Sequence, residues 1–302
     1  MTVTLPSKVR IVEVGPRDGL QSEKNAIPTA DKVAYINALS ESGLPDIEIT
    51  SFVSPKAIPQ LADAVEVSGK VARKEGVTYW ALVPNLKGLE RAIEVGITHI
   101  AVFTAASEKF NLANINKSIE DAFEVFKPVI EKAKELGMTI RGYVSTAFYC
   151  PYEEKEDGVG KVDKEKVRKV TQKLLDMGVD EVSIGDTIGK ATPEEGKETV
   201  GYLLETIPKE KLAMHFHDTY GHALDNIRAS VDMGITTFDS SAGGIGGCPY
   251  APGASGNVST EAVVSLMNDL KIETGVDAEK LSAASQQIRN VLSKVRTPSS
   301  SS

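Results

Sequence analysis

Two of the four histidines in this 302-residue chain stand two positions apart, in Ala213-Met214-His215-Phe216-His217-Asp218-Thr219. In an extended strand, side chains alternate between faces, so His215 and His217 share one face with Ala213, and Leu212, Met214 and Phe216 take the other. Same-face neighbours are only about 6.6 Å apart along a strand, so both rings can reach one ion. Neutral imidazole is the commonest metal ligand near physiological pH. Two hydrogen-bonded core histidines are the alternative; the i, i+2 pair favours a metal site.

Two other stretches carry chemistry-bearing residues. Gly15-Pro16-Arg17-Asp18-Gly19-Leu20-Gln21 places an Asp beside an Arg between glycine turns. It reads either as a surface turn with a salt bridge or as part of a site, because face alternation cannot be carried through Gly15-Pro16. Residues 243–257 hold six glycines around Cys248-Pro249. So many positions free to adopt positive φ suggest a flexible loop, a candidate lid, and a thiol there suits proton transfer.

These residues need a scaffold. Short β-branched runs at 10–14, 46–52, 78–83, 99–104, 139–146, 181–187, 212–219 and 237–244 alternate with helix-like segments at 31–43, 86–95, 118–136, 163–177, 193–206, 221–234 and 259–270. Many of the helices stop at a glycine (Gly43, Gly96, Gly137, Gly178, Gly234), as a C-terminal cap would. The helix-Gly-loop-strand phrase recurs without sequence similarity between copies, so it is a repeated topology. Eight such units predict a (β/α)8 TIM barrel. The rival doubly wound sheet lacks its glycine fingerprint after strand one. We expect a single domain: barrel about 8–270, an additional C-terminal helix about 277–296 and a polar tail 297–302. Barrel active sites are built at the C-terminal ends of strands, where the three stretches fall.

Composition bounds the partners. The net charge of −8 repels phosphate backbones, so nucleic acid is not expected. Two cysteines, Cys150 and Cys248, form no disulfide framework and suggest a reducing, cytoplasmic setting. No signal peptide or membrane span is expected from the apolar pattern.

The turn GPRDGLQ, the HFHDTYGHAL stretch and SSAGGIGGCPYAPGASGN together resemble the 3-hydroxy-3-methylglutaryl-CoA lyases, over about Arg10 to Asp269. The condensing relatives read RDGEQ and HxHND; Leu20 and Asp218 stand here instead. The resemblance implies cleavage of an acyl-CoA to acetyl-CoA and acetoacetate, within leucine catabolism and ketone-body formation. It implies a homodimer and a divalent cation (Mg²⁺ or Mn²⁺) held by Asp18, His215, His217 and Asn257. It also implies Arg17 at the thioester carbonyl, Cys248 as catalytic thiol, Glu48, Asp186 and His215 as further catalytic groups, and Gln21 and Glu261 as supporting polar positions. A related aldolase or Claisen-type condensing enzyme is the alternative, and a metal-holding barrel without turnover a third reading. Face alternation turns Glu48 into the barrel, with Arg17 or Arg141 as its partner. Asp186 shares parity with Val182 and Ile184 and would point outward unless the strand twists at Gly185.

Overall fold

Each buried strand has to cover its apolar face with a helix, and its other face meets the strands across a closed ring. The computed structural model describes residues 5–153, 159–246 and 256–296. Eight parallel strands close in the order β1-β10-β9-β8-β5-β4-β3-β2. They are β1 (Arg10–Glu13), β2 (Asp46–Ser51), β3 (Thr78–Leu82), β4 (His99–Ala105), β5 (Thr139–Ser145), β8 (Glu181–Asp186), β9 (Leu212–Phe216) and β10 (Thr237–Ser240). A two-stranded hairpin, β6 (Tyr149–Cys150) and β7 (Gly160–Lys161), follows β5.

The helices are α1 (Thr29–Ser40), α2 (Ala64–Lys70), α3 (Leu86–Glu94), α4 (Glu108–Ile115), α5 (Ile119–Glu135), α6 (Lys164–Asp176), α7 (Pro193–Leu204), α8 (Ala223–Asp232), α9 (Thr260–Asp269) and α10 (Ala278–Arg296). This is the expected TIM barrel with its C-terminal helix. The short α2 and α4 and the hairpin were not foreseen, because seven- and eight-residue helices offer too few turns for a periodic signal. No helix among the described residues is long and apolar enough to cross a membrane.

The five glycines expected as helix caps all have positive φ, from 69° to 103°. At Gly43 space is also decisive: a Cβ would stand 2.3 Å from the Gly275 carbonyl oxygen. Strands β9 and β10 stop earlier than the sequence pattern suggests. Beyond Phe216 the chain turns to residues 256–258: Val258 N–H bonds to Phe216 O, Asp218 N–H bonds to Gly256 O, and His217 bridges Asn257 antiparallel.

The large apolar core lies between strands and helices, with Ile100 and Val102 of β4, Ile140 and Val144 of β5 and Phe126 and Ile130 of α5. Inside the ring the apolar cluster is small, Leu82, Ala101 and Tyr143 with Val53 and Phe103 against them. Much of the rest of the interior is charged or polar: Glu13, Glu48, Arg141, Ser183 and Asp239 are all buried. At the N-terminal end Arg10 pairs with Glu181 and Asp46, and Trp80 Nε1–H donates to Asp46 Oδ1 at 2.7 Å.

Glu13 ends β1 with no solvent exposure. Its carboxylate accepts N–H from Gly15 (2.8 Å) and Ala242 (2.9 and 3.0 Å) and the Thr260 hydroxyl (2.6 Å). One side chain thus ties the Arg17-Asp18 turn, the start of the glycine-rich loop and the first turn of α9. Burial pushes its pKa up to about 7, against the pull of those donors. That exceeds the ordinary 4.5, so the native state holds a proton that the unfolded chain gives up. The resulting stabilisation, about 3 kcal/mol at most, is complete below about pH 4.5 and lost as pH rises through 7. Glu13→Gln should therefore shrink the stability difference between pH 5.5 and 8 by about 2 kcal/mol. Urea unfolding at the two pH values checks this, and an unchanged difference contradicts it.

Candidate metal centre and its surroundings

The turn after β1 explains why the direction of Asp18 was not legible. Residues 15–19 form one wide π-helical turn in which the Val14 carbonyl accepts N–H from Arg17 (3.1 Å), Asp18 (2.7 Å) and Gly19 (3.3 Å). Such turns are frequent at functional sites. Glycine is required at both ends: a Cβ on Gly15 would stand 2.6 Å from Glu13 Oε1, and one on Gly19 2.7 Å from Ile245. The turn brings Arg17 and Asp18 to the barrel mouth, in one cavity with Gln21, His215 and His217. Phe103, Phe110 and Val144 form its apolar side.

Asp18, His215 and His217 offer ligand atoms that all lie within 4.8 Å of one another, and the two imidazole centroids are 5.2 Å apart. Asp18 Oδ1 accepts from Arg17 Nη1 (2.6 Å) and Gln21 Nε2 (3.2 Å); Oδ2 accepts from Asn257 Nδ2 (2.8 Å). Asn257 is brought there by the same antiparallel bridge that ends β9. Among the described residues, two buried atoms here have no hydrogen-bond partner, Asn257 Oδ1 and His217 Nδ1. An orphaned buried acceptor is costly, and a cation among these four side chains would supply the missing interaction. A half-turn of the Asn257 amide places its oxygen 2.8 Å from Asp18 Oδ2. Neighbouring oxygens around a magnesium ion, with bonds of about 2.1 Å, stand about 2.9 Å apart. The residues fit a divalent cation.

The electrostatics prepare the same ligands. Burial alone would raise the Asp18 carboxyl, but Arg17 and the two imidazoles hold it at about 2, so it is ionised. Burial, with His215 adding to it, lowers His217 to about 4, leaving it neutral as a ligand must be. Burial would lower His215 as well, but Asp239 outweighs it and the net direction is upward.

Arg17 is 5% exposed. Its Nε and Nη2 donate to Glu48 Oε2 at 2.9 and 2.8 Å, and its guanidinium lies 5.3 Å from the Tyr143 ring centroid. Glu48 points inward as its parity indicates, and of the two possible partners it takes Arg17. Arg141 bonds instead to Glu181 (3.0 Å) and Asp239 (2.6 Å). Tyr143 OH adds a third bond to Glu48 Oε2 at 3.0 Å. Burial raises the Glu48 pKa against these donors.

Other expected residues lie elsewhere. Asp186 does not line the cavity; Oδ1 accepts from Lys190 N–H (3.3 Å) and Oδ2 from Ala191 N–H (2.9 Å), anchoring the turn after β8. Its parity with Val182 and Ile184 had pointed away from the interior, and burial raises its pKa to about 7. Glu261 accepts from Gly243 N–H at 3.0 and 3.1 Å, holding the loop base. Cys248 lies outside the described residues. Tyr143 and Asp239 were overlooked, although the alternation that placed Arg141 inward also places Tyr143 inward on β5. The same alternation pairs Asp239 with Thr237, opposite Phe238, on β10.

Fold and site together define a (β/α)8 barrel whose mouth carries a potential divalent-cation site. A model of the HMGL-like family matches residues 8–288, and the chain belongs to that family. The 3-hydroxy-3-isohexenylglutaryl-CoA/hydroxy-methylglutaryl-CoA lyase of Pseudomonas aeruginosa is 51% identical over 97% of this chain and 95% of its own length. The crystal structure of the hydroxymethylglutaryl-CoA lyase from Pseudomonas aeruginosa superposes with a TM-score of 0.92 at 51% identity, covering 96% of this chain and 95% of that one. An HMG-CoA lyase from Acinetobacter baumannii in complex with coenzyme A and 3-methylmalate gives a TM-score of 0.89 at 38% identity, covering 99% and 95%.

The buried pair makes an energetic prediction. Glu48→Ala leaves a buried guanidinium short of its main partner and should cost about 3–5 kcal/mol. Tyr143→Phe removes a hydroxyl that donates to Glu48 and accepts from Arg141 Nη1 at 3.3 Å, and should cost about 1.5–3 kcal/mol. Equilibrium unfolding of both variants checks the ranking; equal small losses would contradict it.

Proposed function

We propose that the chain is a hydroxymethylglutaryl-CoA lyase, cleaving 3-hydroxy-3-methylglutaryl-CoA to acetyl-CoA and acetoacetate. The observation that carries the reading is one cavity in which Asp18, His215 and His217 converge beside the buried Arg17. In this reaction the tertiary hydroxyl loses its proton and becomes the ketone of acetoacetate. The electron pair of the broken carbon–carbon bond passes to the enolate of acetyl-CoA, whose carbon then takes a proton.

Asp18, His215, His217 and Asn257 would hold a magnesium or manganese ion, which would supply Lewis acidity toward the hydroxyl. Arg17 holds a fixed positive charge for the enolate oxygen, and its bonds to Glu48 and Asp18 set that charge in place before substrate arrives. Gln21, bonded to Asp18, steadies the ligand and borders the substrate space. Cys248 is assigned the proton donor to the enolate carbon. Asp186, whose pKa burial raises to about 7, is assigned as proton acceptor for the hydroxyl; its carboxylate bonds to the Lys190 and Ala191 N–H groups. We assign the chain to the cytoplasm on its cysteine usage, as one catalytic domain. We assign a homodimer on the family resemblance, which light scattering measures directly.

Incubation with the thioester should release acetoacetate and acetyl-CoA one to one, stop with chelator and resume with Mg²⁺ or Mn²⁺. Absence of acetoacetate from the metal-loaded protein overturns the reading and favours a condensing enzyme or aldolase. Arg17→Lys should lower kcat by about 10²–10³-fold with cation binding retained, because the planar fork is lost. Asp186→Asn should lower kcat by orders of magnitude with Tm and KM little changed. A parallel fall in Tm would make Asp186 an anchor of the turn alone.

A further inference from the structure

The two imidazoles at the mouth are held differently. His217 Nδ1 is buried without a partner among the described residues. His215 Nδ1 lies 3.1 Å from Asp239 Oδ2, and the two residues are register partners on β9 and β10. Asp239 is 1% exposed, and both its oxygens are occupied. Oδ1 accepts from Arg141 Nη2 at 2.6 Å, and Oδ2 also accepts the Ser183 hydroxyl at 2.7 Å. Arg141 is itself steadied by Glu181 at 3.0 Å. A carboxylate that already accepts from a guanidinium and a hydroxyl is ionised and is an acceptor only.

We propose that Asp239 is a positioning residue that fixes His215 in the tautomer with the proton on Nδ1, so that Nε2 presents its lone pair to the cation. The reason is stereochemical. A ring nitrogen facing an ionised carboxylate must carry the hydrogen, and in a neutral imidazole the other nitrogen is then the acceptor. Carboxylate–histidine pairs of this kind orient metal ligands and raise their basicity. Arg141 and Ser183 belong to the device because they keep the Asp239 carboxylate from rotating. His217 has no such guide among the described residues, so His215 is the preorganised ligand of the two. This inference rests on the cation reading of the site.

The test uses the full chain. With only four histidines, ¹⁵N-histidine labelling of the metal-free protein, recorded where the rings are neutral, resolves each tautomer. His215 is expected with Nδ1 protonated; an Nε2–H signal for His215 in the wild type overturns the proposal without any variant. Asp239→Asn should weaken Mn²⁺ binding, measured by calorimetry, by about 10–100-fold and move His215 toward the other tautomer. Wild-type binding with an equal affinity in the folded variant sinks this inference and leaves the cation site standing. A wild type that binds no Mn²⁺ removes both.

Discussion

A guanidinium and a carboxylate cannot be left in the interior of a barrel without partners. At this mouth the requirement is met by a closed circuit. Arg17 holds Glu48 and Asp18, and Tyr143 joins Glu48 to Arg141 (3.0 and 3.3 Å). Arg141 holds Asp239, and Asp239 holds His215, which faces Asp18 again. Glu48 takes all three of its bonds on Oε2, while Asp18 and Asp239 are each held through both oxygens. Such a network adds little net stability against apolar packing, but it admits few alternative arrangements. The site's geometry follows from that restriction.

The barrel accepts this cost because its apolar packing is elsewhere. Strands and helices bury the large core between them, while the inner apolar cluster is small. The polar interior is therefore a column, running from Arg10, Asp46 and Glu181 at the N-terminal end through Arg141 and Asp239 to Asp18 at the mouth. Glu13 complements it at the side, binding three separate segments that all carry or flank site residues. A chain built this way can hold Asp18, His215 and Asn257 within reach of one another although they come from three distant parts of the sequence.

How much was legible varies with the range of the physics. Strand and helix positions came through to within a few residues where periodicity was long. The helices α2 and α4 did not, because they are too short to show a period. Glu48 was correctly turned inward, but whether it met Arg17 or Arg141 was open, since both face the interior. Asp186 kept its strand parity, and its carboxylate went to the backbone of residues 190 and 191. Asp239 and Tyr143 were within reach of the alternation argument and were not noticed.

By itself the sequence determined what depends on neighbours along the chain. That covers the shared face of His215 and His217, the glycine-capped helix ends, the count of eight strands and the family motifs. Only the tertiary structure decided which way Asp18 points, that Asn257 closes on it, and which carboxylate each buried arginine meets. Those outcomes turn on the wide turn around the Val14 carbonyl, on the register between strands remote in sequence, and on the rule that a buried charge takes the partner the closed barrel brings within hydrogen-bonding distance.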